Sequence, residues 1–175
     1  MSARVAVVFG QFGQIADPIN LPHFRDRLTQ AGVETILVQH TDTQKVYDWL
    51  KGWNGPIGAV GASLGAGIVN IMAGYLRPKP VAFTGGFQPS SWDPVMHMDP
   101  VTGLMTVNVP NNVKTALCFR NSVVAETGGL GSAIWKLADG NTVTKLTVVD
   151  RQDVHPGDFG PAQDTMFNAV MEAVK

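Results

Sequence analysis

The sequence predicts an α/β protein with a doubly wound, mostly parallel sheet of about six strands and helices on both faces. Short apolar runs alternate with helix-like segments along the whole chain, which implies right-handed crossover connections. Several runs lack apolar–polar alternation, as is typical of parallel strands covered on both faces. The predicted strands are Arg4–Phe9, Glu34–Val38, Ile57–Gly61, Pro80–Thr84, Thr115–Phe119 and Lys145–Val149.

Five segments between and after these strands are predicted to be helical. Asn20 is expected to cap the first helix and Gly32 to end it, since these residue types favour those positions. The third segment is almost wholly small or apolar, so we expect it to be a central helix buried against the sheet. The five segments are Leu21–Ala31, Thr43–Lys51, Leu64–Leu76, Gly129–Ala138 and Pro161–Val174.

The chain of 175 residues is expected to form a single domain, residues 1–175, with one long excursion at about 85–112. This stretch contains four prolines together with Trp92, Met96 and Met98. Loops of such length inside a small domain are usually functional or interaction segments. The alternative is a surface excursion that packs its own apolar side chains.

Composition excludes several classes of function. With 13 basic and 14 acidic residues the net charge is −1, which argues against nucleic acid or an anionic membrane as the main partner. No apolar run reaches ~18 residues and no targeting segment is visible, so a cytoplasmic protein is expected. Cys118 is the single cysteine, and no cluster has metal-ligand spacing, so neither a metal nor another cofactor is expected.

The motif that carries chemistry is Gly61-Ala62-Ser63-Leu64-Gly65, which matches G-x-S-x-G between a predicted strand and a predicted helix. In that context a strained turn lifts the serine above the sheet, and glycines are needed because strand and helix pass close by. Ser63 is therefore the predicted nucleophile. A phosphate-binding loop is the alternative, but neither G-x-G-x-x-G in register nor G-x-x-x-x-G-K-[ST] is present.

A serine nucleophile needs a base, and four histidines are available. His155 follows the last predicted strand after a short loop, so it is expected at the same sheet edge as Ser63. We predict His155 as the base. The others fall on an early helix (His23), at the end of the second strand (His40) and in the excursion (His97).

With serine preceding histidine in this order of elements, the chain resembles the α/β-hydrolase superfamily in a minimal, lidless form, as in compact lipases and cutinase-like esterases. The resemblance implies that the backbone amide of Leu64 forms one half of an oxyanion hole. The turn after the first strand implies Gln11 as the second donor, with Phe12 next. Phe9 stands where that turn of the family carries histidine.

The resemblance also implies an acid after the penultimate strand. The family's D-x-V-V pattern falls on Asn121-Ser122-Val123-Val124, so asparagine occupies the expected aspartate position. Glu126 is the nearest carboxylate and is the predicted acid. Asp93, after the preceding strand, and Asn121 itself are the alternatives.

The sequence thus favours a serine hydrolase that cleaves a carboxylic ester or thioester through an acyl-enzyme. Phe12, Trp92 and Met96 are predicted to contact the substrate. The excursion that carries the last two is predicted to form an acyl wall or a surface for self-association. Two alternatives stay open: a catalytically weak scaffold with the hydrolase fold, which asparagine at the acid position permits, and an acyltransferase that uses the same residues.

Overall fold

The computed structural model describes residues 2–10, 19–89, 97–98, 105–120, 133–150 and 160–175. These residues form nine strands and four helices. In chain order they are β1 (Arg4–Val8), α1 (Leu21–Gln30), β2 (Glu34–Val38), α2 (Thr43–Lys51), β3 (Ile57–Ala62), α3 (Leu64–Tyr75), β4 (Val81–Phe87), β5 (His97–Met98), β6 (Met105–Val109), β7 (Val113–Arg120), β8 (Ile134–Leu137), β9 (Lys145–Asp150) and α4 (Gly160–Ala173).

The main sheet has six strands in the order β2-β1-β3-β4-β7-β9, and every neighbouring pair is parallel. This confirms the predicted doubly wound sheet. The chain builds to one side from β1 to β2 and to the other side from β3 onward, so the direction of winding switches between β1 and β3. In open α/β sheets the crevice at the carboxyl ends of such strands is where ligands bind.

Helices cover both faces of this sheet, as the sequence predicts. One face packs against α1 and α4 and the other against α2 and α3, and both layers bury apolar side chains against alternate strand positions. The first layer includes Phe24, Leu28, Met166 and Val170; the second includes Val46, Leu50, Val69 and Met72.

A smaller, second sheet packs beside α3 on the same face. Its strands follow the order β5-β6-β8, with β5 antiparallel and β8 parallel to β6. Trp135 of β8 is 1% exposed and lies over Gly86 of β4, where an added Cβ would stand 3.0 Å from the indole Cε2. The short second sheet therefore covers the main sheet where a helix was expected.

The predicted helix at Gly129–Ala138 is accordingly wrong over Ile134–Leu137, which is strand β8. In this strand Trp135 is buried while its two neighbours are half-buried, so adjacent side chains differ in burial, as side chains on opposite faces of a strand do. Isoleucine and tryptophan are also residues that strands favour. Pairing with β6, which is distant along the chain, stabilises the strand conformation of Ile134–Leu137.

The excursion at about 85–112 is more regular than the sequence suggests. Its first residues, 85–87, complete β4, and residues 105–109 form β6, whose Val107 and Val109 are buried in the core. Residues 97–98 form β5. The remaining predicted features of this stretch, Trp92 and Met96 included, lie outside the described residues.

At the amino edge of the sheet, one cation ties three segments together. The Arg4 guanidinium donates from Nε to Glu34 Oε2 at 3.1 Å and from Nη1 to the Trp49 carbonyl at 2.8 Å. Its Cζ lies 3.9 Å from the ring centroid of Trp53 and 4.9 Å from that of Trp49. Ser2 donates to Glu34 at 2.7 Å and accepts from the Trp53 indole at 3.1 Å. This amino-edge network joins the first residues of β1 and β2 to Trp49 of α2 and to Trp53 after it.

Candidate active site

The turn between β3 and α3 holds Ser63 in an uncommon backbone conformation. Its φ is 53° and its ψ is −122°, which lies outside the left-handed helical region and costs a non-glycine residue about 1–3 kcal/mol. Two backbone hydrogen bonds hold it there: its N–H donates to the Phe87 carbonyl at 2.9 Å, and its carbonyl accepts from Ala66 at 3.0 Å. Strand β4 and helix α3 thus fix the turn between β3 and α3, which is the strand–turn–helix geometry that the motif predicts.

Three glycines leave the space that this turn requires. A Cβ on Gly61 would stand 2.7 Å from the Ala66 nitrogen and still closer to the Gly65 carbonyl. A Cβ on Gly65 would stand 2.7 Å from the Phe9 carbonyl oxygen of the loop after β1. Because those neighbours are backbone atoms, they cannot move aside by a change of rotamer. Both motif glycines are therefore required by close approach, as the sequence predicts.

The third glycine lies beside Ser63 itself. A Cβ on Gly10, just after β1, would stand 2.7 Å from Ser63 Cβ and 3.2 Å from Ser63 Oγ. The absence of a side chain at Gly10 therefore keeps the flank of Ser63 open. The sequence did not single out this contact, because it joins the ends of two strands across the switch point.

The polar groups at the start of α3 suit a negatively charged ligand atom. Ser63 is half-buried, and its hydroxyl does not cap its own helix. Leu64 is the first residue of α3, where a backbone N–H has no partner within the helix, and the helix dipole favours negative charge. Among the described residues nothing accepts from that N–H.

An aromatic cluster supports the turn from below. The rings of Phe87 and Phe119 stack with centroids 5.8 Å apart, and Phe24 meets Phe87 edge-on at 6.2 Å. Gln88 N–H donates to the Phe119 carbonyl at 2.7 Å, so the ends of β4 and β7 stay in register. Since the Phe87 carbonyl also accepts a hydrogen bond from the Ser63 N–H, this packing fixes the position of Ser63 relative to the end of β4.

Further along the carboxyl edge, the structure adds an ion pair that sequence reasoning missed. Arg120 and Asp150 are the last residues of β7 and β9 and lie opposite each other in register. Arg120 Nε is 3.6 Å from Asp150 Oδ2, and the arginine side chain is 12% exposed. The signal in the sequence was two opposite charges, each directly after a predicted strand, and the pairing of the two strands could not be read from the sequence.

The structure places only some of the predicted site residues. It brings Ser63 and the Leu64 amide together at the carboxyl edge beside Gly10. His40 lies at the carboxyl end of β2 with a buried Nδ1 that has no hydrogen-bond partner in the described part of the chain, whereas His23 is exposed on α1. The predicted residues that lie outside the described ones are Gln11, Phe12, Trp92, Asp93, Met96, Asn121, Glu126 and His155.

Cys118 is a core residue and not a reactive thiol. Its side chain is fully buried on the α3 face of β7, and burial raises its pKa to about 12. A hydrogen bond from the Trp135 backbone and the positive charge of Arg120 oppose that shift only in part. In the described portion of the chain no His, Cys, Asp and Glu side chains group as metal ligands.

Comparisons with known proteins rest on structure alone. No protein-family model and no curated protein matches the chain. Among the described residues no helix is long and apolar enough to cross a bilayer.

Several solved structures match the chain over nearly its whole length. One belongs to the study of the metagenome-derived lipolytic enzymes LipS and LipT, with a TM-score of 0.58, 10% identity and 99% of this chain and 94% of that chain covered. A hydrolase of the alpha/beta superfamily from Xanthomonas campestris pv. campestris has a TM-score of 0.51, 14% identity and 96% of both chains covered. A cutinase-like protein from Cryptococcus sp. has a TM-score of 0.50, 11% identity and coverage of 99% and 95%.

Identities of 10–14% establish the fold and no more. The parallel sheet and the layers of helices on both of its faces agree with these matches. The chain has an α/β-hydrolase-like fold.

Proposed function

We propose that this protein is a serine hydrolase that cleaves a carboxylic ester or thioester through an acyl-enzyme on Ser63. The observation that carries the proposal is the backbone of Ser63, held at φ 53° by two strands and a helix whose close-approach positions are glycines. Strain of this kind persists only where the surrounding structure maintains it, and it concentrates at functional sites. The lipolytic enzymes and the cutinase-like protein among the structural neighbours support the same class of reaction.

In the first half-reaction Ser63 Oγ attacks the carbonyl carbon of the substrate, and its proton passes to His155. The carbonyl oxygen becomes an oxyanion that accepts hydrogen bonds from the Leu64 and Gln11 amides. When the tetrahedral intermediate collapses, His155 returns the proton to the departing alcohol or thiol, and the acyl group remains on Ser63. Water then repeats these steps and releases the carboxylic acid.

His155 needs a group that orients its ring and stabilises the imidazolium that forms during the reaction. Glu126 is the proposed acid, with Asp93 and Asn121 as alternatives. Phe12, Trp92 and Met96 are proposed to contact the acyl group, in keeping with a small apolar substrate. No cofactor enters this reaction.

A fluorophosphonate probe tests the assignment, because it reacts only with an activated serine. We expect one adduct, on Ser63, and we expect Ser63→Ala to lose both the adduct and the turnover of p-nitrophenyl esters. Ser63→Ala keeps the fold, since alanine only removes a hydroxyl that caps nothing. An adduct on Ser90 or Ser132 would move the nucleophile elsewhere.

The same experiment separates the two alternatives. A folded protein with no adduct would be a scaffold that retains the hydrolase fold. An adduct on Ser63 with faster acyl transfer to an added alcohol than to water would indicate an acyltransferase.

A further inference from the structure

Helix α3 has an apolar outer face as well as an apolar inner one. Its twelve residues carry no charge, and its buried side chains are small or apolar except for Asn70. On the opposite side, spacings of four, three and four residues align a second apolar stripe, which is half-buried to exposed: Leu64, Ile68, Ile71 and Tyr75. Surface helices normally present polar residues on that side, and a helix apolar all round is normally covered on both sides.

The stripe borders a groove between α3 and α2 with a volume of about 430 Å³. Its floor and walls are mainly apolar and aromatic, with polar groups only at the α2 end. The lining includes Thr43, Gln44 and Tyr47 from α2 and Ile68, Ile71 and Tyr75 from α3. Tyr75 is 73% exposed, the highest value among the large hydrophobic side chains of the described residues.

This surface therefore carries a projecting aromatic ring and an apolar hollow side by side. A patch with both features is complementary to itself when a twofold axis relates two copies, because each ring then meets the other copy's hollow. We propose that the outer face of α3 is a homodimer interface, in which Tyr75 of each protomer enters the α2–α3 groove of its partner.

The charges around the groove favour a second copy over a membrane. Helices that lie on membranes carry many lysines and arginines on their polar face, whereas α3 carries none. Charges of both signs contact the α2 side of the groove: Asp48 accepts a hydrogen bond from Gln44, and Lys51 Nζ lies 5.2 Å from the ring centroid of Tyr47. The net charge of −1 gives two copies little mutual repulsion.

Such a dimer places its interface at α3 and not at the excursion of residues 85–112. It also leaves the carboxyl edge accessible, because the groove is lined by Ile68, Ile71 and Tyr75 of the later turns of α3, whereas Ser63 precedes the start of the helix. The interface thus stabilises the outer side of the helix whose first amide is the proposed oxyanion donor.

Sedimentation velocity across the micromolar range tests this interface. We expect wild type to sediment at twice the 18.7 kDa mass of one chain, and Tyr75→Asp to raise the dimer dissociation constant at least ~10-fold, since a carboxylate cannot enter an apolar hollow without partners. Tyr75→Phe keeps the ring and should stay dimeric. Val143→Asp is the matched control, because Val143 is also exposed, at 67%, but lies before β9 on another part of the surface.

A second variant tests the α2–α3 groove instead of the Tyr75 ring. Gln44→Trp places an indole over the groove from an exposed position, so it should dissociate the dimer without unfolding either protomer, as circular dichroism would verify. A wild type that stays monomeric throughout the range would overturn the proposal. So would a monomer that floats with phosphatidylcholine vesicles in a Tyr75-dependent way, since the stripe would then bind lipid.

Discussion

The two edges of the main sheet differ in the contacts that their residues make. At the amino edge Arg4 is paired, hydrogen-bonded and stacked on Trp53, and Glu34 accepts from both Ser2 and Arg4. At the carboxyl edge Ser63 is strained, and the buried Nε of Arg120 lacks a hydrogen-bond acceptor among the described residues. The amino edge thus contains favourable contacts, and the carboxyl edge contains unfavourable geometry. This is expected when the well-packed part of a fold maintains strain at a candidate functional site.

This difference predicts that carboxyl-edge changes reduce activity while amino-edge changes reduce stability. The largest effect is expected for Glu126→Gln, which should lower kcat by up to ~10⁴ with little change in KM, because the imidazole of His155 would lose its orienting carboxylate. Steady-state hydrolysis of a p-nitrophenyl ester measures it.

Asp93→Asn is the matched control for that variant and should be nearly silent. The reverse pattern would assign the acid to the segment after β4. If both variants keep full activity, Asn121 is the orienting group, and Asn121→Asp should then accelerate turnover because a charged partner stabilises the imidazolium better.

Gly10→Ala should come next, with a drop in kcat of about 10²-fold. The new Cβ would stand 2.7 Å from Ser63 Cβ, so one of the two strand ends has to move, and displacements near 1 Å at a reacting group have effects of that order. The rate of fluorophosphonate labelling should fall in parallel. Gly52→Ala, where a Cβ meets nothing within 4 Å, should leave the rate unchanged; equal rates for both variants would show that the flank of Ser63 is not used.

At the amino edge, Arg4→Met should lower the free energy of unfolding by about 2 kcal/mol, from the lost stacking on two indoles and the unpaired Trp49 carbonyl. In a domain of this size that corresponds to roughly 4–8 °C in Tm, measurable by calorimetry. Ser63 labelling should not change. Arg25→Met breaks only the surface pair with Asp26 and should shift Tm much less; a similar shift in both would mean that the network adds nothing.

The smallest effect belongs to Glu34→Gln and depends on pH. Hydrogen bonds from Ser2 and then Arg4 lower the pKa of Glu34 below its ordinary 4.5, so the charged form is favoured in the folded state. Its contribution is present above the ordinary pKa and is lost as pH falls through the lowered one. The Tm difference between wild type and variant should therefore shrink on acidification. A Tm difference between wild type and Glu34→Gln that does not change with pH would contradict this account.

Local sequence signals predicted most of the main sheet. The bounds of β2 and α2, Glu34–Val38 and Thr43–Lys51, are as predicted, because apolar periodicity and flanking residues define them within a short window. Asn20 caps α1 by accepting from the His23 N–H at 3.3 Å, as expected. The short strands β5, β6 and β8 were missed, since they exist through pairing between distant segments.

The same division holds at the candidate site. The Ser63 turn could be predicted because its requirements fall within five consecutive residues. The approach of Gly10 to Ser63 and the register that pairs Arg120 with Asp150 could not, because both depend on the order of strands across the sheet. The identity of the acid stays a prediction, as Glu126, Asp93 and Asn121 lie outside the described residues.

The buried thiol of Cys118 has a practical consequence for measuring how this protein opens. With a pKa of about 12 and no exposed surface, it yields almost no thiolate at neutral pH while the chain is folded. Modification by a thiol reagent must therefore wait until β7 separates from β8 and the sulfur meets water. Because the chain has one cysteine, the alkylation rate reports a single structural event: the separation of the second sheet from β7 of the main sheet.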